Sequence, residues 1–245
     1  MISQLFHTVI YDPLYNGLVF FVGIVPGHDV GLAVIALTVI TRVLIYPLSK
    51  RAIETQMAMK KIAPDVEIVK EKYKNDRQEQ GKAIFALYKE RGVHPFAGIG
   101  LMIIQLPVLI GLYWVFYGGG FPDVNLALLY SFVHAPESVN MDFLGILGMD
   151  KRSIVLAVLA GVTQLAYSRL SMGPRGTQTA AEATFSNEMA KSLDLQARYV
   201  LPVIMGVVGY TTIAAVPLYL TTSNLFMIGQ EFIAGRRWNG ESQKA

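Results

Sequence analysis

The chain has 245 residues, of which 53% are hydrophobic and only 16% charged, and its formal net charge is +3. Soluble domains carry about a quarter charged residues, so this composition excludes an ordinary soluble domain and indicates an integral membrane protein. The chain contains no cysteine, which excludes disulfides, thiolate metal sites and cysteine nucleophiles.

In the N-terminal segment 1–27, residues 1–22 alternate apolar and polar side chains around Asp12-Pro13. This pattern predicts an amphipathic segment that lies at the outer membrane interface and does not cross the bilayer. The first residues have neither the basic region of a secretory signal peptide nor the Arg-rich composition of a transit peptide. We therefore expect a bacterial plasma or inner membrane.

The first long apolar run, 28–49, predicts a transmembrane helix, because about 20 apolar residues cross the hydrocarbon core. It contains Arg42, and an arginine at mid-membrane costs at least ~2.5–3.5 kcal/mol. One explanation is that Arg42 snorkels toward the interface near Lys50. The other is a hydrated cavity, which is favoured because Thr38 lies one turn away on the same helix face and Thr41 lies beside Arg42.

The soluble segment 50–94 predicts a helical hairpin. Pro64 resembles the first turn of a helix, and Asn75-Asp76 breaks the pattern before a second helix. The first helix carries an apolar stripe of Ile62, Val66, Val69 and Tyr73. The second carries Ile84, Phe85 and Tyr88 on one face.

The hairpin is basic, with eleven basic and seven acidic residues in 50–92. A solvated helix pair that obeys the positive-inside rule is one interpretation. The other is a surface that receives acidic lipid headgroups, ribosomal RNA or a nascent polypeptide. The candidate contact residues of this surface are Lys60, Lys61, Lys70, Lys72, Lys74 and Arg77.

Three further apolar regions predict four more crossings. Segments 95–117 and 153–172 each have the length of one transmembrane helix. Segment 198–235 is too long for one crossing at 1.5 Å per residue, so we expect two helices that turn near Pro217. The connecting segments are an extracytoplasmic loop at 118–152, a cytoplasmic loop at 173–197 and a cytoplasmic tail at 236–245.

The distribution of Lys and Arg sets the orientation. Eighteen basic residues lie in 50–92, 169–198 and 236–244, whereas two lie in 118–152. Because cytoplasmic segments are enriched in basic residues, five crossings with the N-terminus outside and the C-terminus in the cytoplasm fit this distribution.

Polar side chains recur inside the other crossings, at the depth of Arg42 or nearer to the cytoplasm. Each one alone is explained by interhelical hydrogen bonding. Together they predict a hydrophilic groove that is open to the cytoplasm and closed toward the outside. They are Gln105 in the second crossing, Thr163, Gln164 and Tyr167 in the third, and Asn224 in the last.

The chain has no phosphate-binding loop, no HExxH motif and no Gly-x-Ser-x-Gly elbow. Its four histidines do not have the spacing of metal ligands. We therefore expect no enzyme activity, no cofactor, no metal and no DNA partner.

The order and spacing of several short motifs resemble the YidC/Oxa/Alb membrane protein insertase family, in its short form without a large extracytoplasmic domain. The resemblance covers nearly the whole chain. Its motifs are Leu37–Leu48, Lys60–Pro64, Glu71–Lys74, Leu87–Pro95, Ile104–Trp114 and Ser223–Leu225 with Gln230.

The resemblance implies an all-α membrane protein with five transmembrane helices around a hydrophilic groove, a cytoplasmic helical hairpin and an N-terminal interfacial helix. Such a protein receives nascent membrane proteins and releases them laterally into the bilayer without nucleotide hydrolysis. Its partners are membrane lipids, the ribosome and the Sec translocon. Arg42, Thr38 and Gln105 match groove positions of the family, and Tyr219 matches an aromatic position of the last crossing.

Two other functions fit the same residues. An anion channel or carrier would use Arg42 as its selectivity site and would carry anion flux in liposomes. A structural assembly factor would instead bind a partner complex through its cytoplasmic hairpin and would not need the groove.

Overall fold

The computed structural model describes residues 2–93, 97–118, 121–172 and 195–235. These residues are mostly helical, as predicted. The chain divides into two compact units, residues 1–44 with 107–245 in one and residues 45–106 in the other. The helices are α1 Ile2–Phe6, α2 Asp12–Ile24, α3 Val30–Lys72, α4 Arg77–Glu90, α5 Ala97–Tyr117, α6 Ile154–Met172, α7 Leu201–Thr211 and α8 Ala215–Ile233.

Shorter elements join these helices. Five-residue π-helical turns at His7–Tyr11 and Gln196–Val200 precede α2 and α7. The loop before α6 contains a 3-10 turn, Leu126–Leu128, and two short antiparallel strands, β1 Asp142–Phe143 and β2 Leu147–Gly148.

Helices α3, α5, α6, α7 and α8 lie where the five crossings were predicted. Among the described residues, two stretches are long and apolar enough to cross a membrane, Val30–Met59 and Ile154–Met172. Pro107–Tyr117 and Arg198–Thr211 are shorter apolar helices. That all five helices cross the bilayer stays a prediction.

Helix α3 has the exposure pattern of a protein in lipid. Thr38 is buried and Arg42 is only 8% exposed, whereas Val43 is largely exposed and Leu44 is 73% exposed. Water would favour the opposite distribution, because charged side chains are almost never buried in soluble proteins unless they are paired. Helix α6 repeats the pattern, since it buries Gln164 and exposes five aliphatic side chains, Ile154, Val155, Val158, Leu159 and Val162.

The prediction that a helix begins near Pro64 is wrong. Helix α3 continues through both Pro47 and Pro64. An interior proline removes one backbone hydrogen bond and costs about 3 kcal/mol. Burial of the adjacent Ile62 and Val66, two residues of the predicted apolar stripe, offsets this cost.

The two antiparallel helices predicted on either side of Asn75-Asp76 are present. The Asp76 side chain accepts hydrogen bonds from two backbone N–H groups in the first turn of α4, which is the usual way to start a helix. Ile84 and Tyr88 are half-buried, but Phe85, predicted on the same face, is exposed. Two contacts join the helices, Arg91 Nη2 with Asp65 Oδ2 at 2.7 Å and Gln80 Nε2 with Lys70 O at 2.8 Å.

The N-terminal segment is helical from Ile2 to Ile24 and packs against two longer helices. A Cβ atom on Gly17 would lie 2.9 Å from Leu37 Cδ1 of α3, and one on Gly111 of α5 would lie 2.8 Å from Leu14 Cδ1. Its buried face includes Tyr15, Leu18, Val19 and Val22, and its exposed face includes Leu5, Val9, Phe20 and Ile24. The exposed face also carries the polar side chains of Gln4, His7 and Thr8, whereas both faces of α2 are largely apolar. Its location at the membrane interface stays a prediction.

Candidate functional site

The site is best described from the end of the bundle at which α3, α6 and α8 all begin. We call this the cap end, and the loop residues 121–153 that cover it the cap. The buried Asp29 carboxylate joins the cap to α3. Asp29 Oδ1 accepts from the backbone N–H groups of Gly31 at 2.7 Å and Leu32 at 3.1 Å, and Oδ2 accepts from that of Leu144 at 2.8 Å.

The cap is also bonded to α2 and to the turn between α7 and α8. Ala214 N donates to Lys151 O at 2.7 Å. The buried Asn16 side chain of α2 donates to Leu128 O at 2.9 Å and accepts from Tyr130 N at 2.6 Å. These bonds satisfy polar backbone groups that would otherwise be buried without partners, so the cap closes this end of the bundle.

Below the cap, the buried faces of α3, α6 and α8 are apolar. Their buried residues are Val30, Ala33, Val34 and Leu37 in α3, Leu156, Ala157 and Ala160 in α6, and Ala215, Val216, Pro217, Leu218, Tyr219 and Leu220 in α8. We call this part of the bundle the cap half.

Farther from the cap, the same three faces become polar. The change falls at Thr38 in α3, Thr163 in α6 and Thr221 in α8, about 9–13 Å from the first residue of each helix at 1.5 Å per residue. We call this level the polarity boundary and the part beyond it the distal half. The buried polar residues beyond the boundary are Thr38, Arg42 and Ser49 in α3, Gln164, Ser168 and Ser171 in α6, and Thr221, Ser223, Asn224, Gln230 and Glu231 in α8. Arg198, in the turn before α7, is also buried, and Leu170 of α6 is a buried apolar residue among them.

Arg42 lies just beyond the polarity boundary and faces α8. Its Nη2 donates a hydrogen bond to Ser223 Oγ, and with 8% exposure its side chain is enclosed by protein and does not face acyl chains. A buried cation is tolerated only with hydrogen-bonding partners, and Ser223 is one of them. The sequence indicated Ser223 only as part of the motif Ser223–Leu225 and did not identify it as the partner of Arg42, 181 residues away.

Asn224 joins α8 to α6 at the same level. Its Nδ2 donates to Thr163 Oγ1 at 3.3 Å and lies 3.5 Å from Ala160 O. The Thr163 hydroxyl itself donates to Leu159 O at 2.7 Å. Two of the predicted groove residues, Asn224 and Thr163, are therefore in direct contact.

The remaining predicted groove residues lie on the same helices. The Thr38 and Thr41 hydroxyls donate to backbone oxygens of their own helix, Val34 O at 2.6 Å and Leu37 O at 2.7 Å. Gln164 and Tyr219 are buried and Tyr167 is half-buried. Gln105 belongs to α5, but its side chain lies outside the described part of the structure.

Several buried polar residues were not predicted as site residues, and Glu231 and Thr221 are two of them. Glu231 is fully buried beside the buried Gln230, near the distal end of α8. Thr221 lies at the polarity boundary, and in the described part of the chain no hydrogen-bond partner meets its buried hydroxyl. The polar residues 221–224 in the otherwise apolar α8 are visible in the sequence. The sequence does not reveal which of these side chains are buried in the folded protein.

The predicted contact residues of the hairpin lie on its surface. Lys61, Lys72, Lys74 and Arg77 are exposed. Lys70 pairs with Glu67 at 3.0 Å, and Lys72 Nζ lies 5.4 Å from the centroid of the Tyr73 ring. The side chain of Lys60 lies outside the described residues. Within the ranges that the structure describes, no three His, Asp or Glu side chains are grouped to hold a metal ion.

Comparison with known proteins identifies the family of this bundle. Residues 20–241 match the family described as 60Kd inner membrane protein. Because this match covers most of the chain, the protein belongs to the 60Kd inner membrane protein family. It is an integral membrane protein, and the resemblance to the YidC insertases is confirmed.

Two relatives illustrate how the chain relates to the family. The membrane protein insertase YidC of Clostridium tetani is 29% identical over 208 residues, which are 85% of this chain and 82% of the relative. The membrane protein insertase YidC of Francisella tularensis subsp. novicida is 29% identical over 214 residues, 87% of this chain but 34% of the relative. The chain thus spans most of the clostridial protein and about a third of the length of the Francisella protein.

Proposed function

We propose that this protein is a membrane protein insertase that admits substrate segments into a hydrophilic groove formed by the distal halves of α3, α6 and α8. The observation that carries the proposal is the shared polarity boundary, because three neighbouring helices change from apolar to polar on their buried faces at one level. The names of the relatives from Clostridium and Francisella agree with this function.

The boundary has a physical use. A polar segment that crosses ~30 Å of hydrocarbon leaves backbone groups without partners, and each costs several kcal/mol. A groove that is hydrated as far as the boundary shortens the dry part of the path. Burial of the apolar substrate helix in lipid then drives the step without nucleotide hydrolysis.

The distribution of basic residues orients the protein in the membrane, with the cap outside and the distal half toward the cytoplasm. The cap loop carries Lys151 and Arg152 as its basic residues, whereas eleven basic residues lie in 50–92. Under the positive-inside rule, the protein is a multi-pass plasma or inner membrane protein with its N-terminus outside and its C-terminus in the cytoplasm.

Arg42 attracts acidic residues of the segment being moved. Ser223 holds the guanidinium in the resting state, and a carboxylate replaces this neutral hydroxyl because charge-assisted hydrogen bonds are about twice as strong as neutral ones. The unpartnered hydroxyl of Thr221 favours water at the same level, since a buried polar group without a partner costs about 1–3 kcal/mol.

The substrate helix leaves sideways between α6 and α8. This path requires that the contact between Asn224 and Thr163 opens. The partners are nascent membrane proteins, lipids, the ribosome and the Sec translocon. The exposed Lys61, Lys72, Lys74 and Arg77 of the hairpin contact them.

Site-specific crosslinking tests the proposal. A photoreactive amino acid is placed at Thr41 or Thr163, and a ribosome-stalled nascent membrane protein is offered. We expect crosslinks from both positions and few from Ala33, the matched position in the cap half of α3. Equal crosslinking from all three positions would contradict a groove that ends at the boundary. Anion flux through the purified protein in liposomes, with no crosslinks, would favour the channel instead.

A further inference from the structure

The turn between β1 and β2 exposes two large aliphatic side chains. Leu144 is 61% exposed and Ile146 is 79% exposed, and Gly145 between them has a φ of 70°. An exposed aliphatic side chain gains nothing in water, whereas burial of a leucine or isoleucine in an apolar phase contributes about 1.5–3 kcal/mol. The turn therefore has the chemistry of a surface that contacts lipid.

The backbone of Leu144 strengthens this interpretation. Its φ is 52°, in the left-handed region that glycine and asparagine adopt with little strain and that costs other residues about 1–2 kcal/mol. A leucine at this position is unfavourable for the turn itself. The side chain, and not the turn geometry, accounts for its presence.

The turn lies at the level where the apolar part of α3 begins. Leu144 N donates to Asp29 Oδ2 at 2.8 Å, and Asp29 directly precedes α3. A Cβ atom on Gly31 would lie 2.3 Å from Phe143 Cδ2, so the Phe143 ring covers the first turn of this helix. Leu144 and Ile146 are thus held beside the cap end of the hydrocarbon core.

Polar residues at the base of the turn match the adjacent headgroup layer. Lys151 and Arg152 are exposed, and the Lys151 Cδ atom would lie 3.2 Å from a Cβ atom on Gly148 of β2. Asp142 and Asp150 are exposed beside them. Directly after this polar group, the exposed aliphatic face of α6 begins, so the turn continues a surface that already faces lipid.

We propose that residues 144–146 form a shallow membrane anchor, with the Leu144 and Ile146 side chains inserted among the acyl chains of the leaflet at the cap end. The anchor holds the cap against the bilayer. It requires only that the protein spans a membrane, so it stands or fails independently of insertase activity.

The absence of cysteine allows a direct test by single-cysteine labelling. Ile146→Cys, labelled with an environment-sensitive nitrobenzoxadiazole probe, is reconstituted at one copy per phosphatidylcholine nanodisc. Val158→Cys, on the exposed aliphatic face of α6, is the lipid-facing control. Glu137→Cys, exposed elsewhere in the same loop, is the water-facing control, and Leu144→Cys is a second probe if the first variant aggregates.

We expect the probe at Ile146 to be quenched by phosphatidylcholine that carries a nitroxide near the headgroup, to an extent similar to Val158, and to be protected from iodide. Quenching by iodide to the extent seen at Glu137, without quenching by the nitroxide lipid, would overturn the proposal. Protection from iodide that appears only in nanodiscs with several copies, without quenching by the nitroxide lipid, would also overturn it, because a second protein copy would then be what covers the turn.

Discussion

The cap half and the distal half of the bundle are built from the same three helices but bury side chains of opposite polarity. In the cap half, α3, α6 and α8 bury aliphatic side chains, and hydrogen bonds from backbone N–H groups of the cap to the side chains of Asp29 and Asn16 close the end. In the distal half, the same helices bury Arg42, Gln164 and Asn224.

This difference in buried polarity bears on which part of the bundle can hold water. Apolar packing needs no water, whereas a buried guanidinium and a group of amides and hydroxyls are stable only with hydrogen-bonding partners. Under the proposed function, the cap half is the seal, and the distal half exchanges its internal partners for water or for a substrate. Mutations on the two sides of the boundary should have different consequences.

The largest effect is expected at Arg42. Arg42→Ala should lower the insertion of substrates with acidic translocated tails by about 10- to 100-fold, because a hydrogen bond to a charged group contributes about 1.5–3 kcal/mol. Arg42→Lys keeps the charge and should retain most of the activity. Insertion into inverted membrane vesicles measures this, with an uncharged tail as the control. Equal insertion of the acidic-tail substrates by the wild type and by Arg42→Ala would contradict the role.

In the cap half, Asp29→Ala should act on stability instead of selectivity. It leaves the N–H groups of Gly31, Leu32 and Leu144 without their acceptor, at a cost of about 2 kcal/mol. Asp29→Asn keeps one acceptor oxygen and should lose less. The thermal unfolding temperature in detergent should fall in that order, while the ratio of insertion between acidic and uncharged tails stays at its original value.

A smaller loss is expected from Gly31→Ala. The added methyl group would overlap the Phe143 ring, and overpacking of this kind costs about 1–3 kcal/mol. Phe143→Ala in the same chain should recover part of the loss. Gly23→Ala is the matched control, since no atom lies within 4 Å of its added Cβ; equal unfolding temperatures for the two glycine variants would show that the ring does not pack against α3.

The smallest effect is expected at the contact between α6 and α8. Asn224→Ala, Thr163→Ala and the double variant form a cycle whose coupling should be about 0.6 kcal/mol, the average for hydrogen bonds between membrane helices. Unfolding in mixed micelles measures it. A coupling near zero would indicate that this contact does not hold the two helices together.

Much of the helical layout could be predicted from the sequence, because apolar runs and turn residues are local signals. The break at Asn75-Asp76 and the start of α6 after residue 153 are examples. The prediction at Pro64 was wrong because the local preference of proline for the first turn of a helix indicates a helix start there. Burial of Ile62 and Val66 instead keeps α3 continuous through Pro64.

The candidate site was harder to predict, because it depends on which faces of distant helices meet. Polar residues in apolar helices identified Arg42, Thr163 and Asn224. The pairing of Arg42 with Ser223 joins residues 181 positions apart. The enclosure of Glu231 likewise follows from packing around α8, and helical periodicity does not encode either contact.

Hydration of the distal half is tested most directly by single-cysteine accessibility along α3. Cysteines at Ala33, Val34, Thr38 and Thr41 would be treated, in inverted membrane vesicles, with a charged, membrane-impermeant thiol reagent. We predict rapid labelling at positions 38 and 41 and protection at 33 and 34, because thiols react as thiolates, which need water. Protection at all four positions, or equal labelling through position 33, would contradict a groove that ends at the polarity boundary.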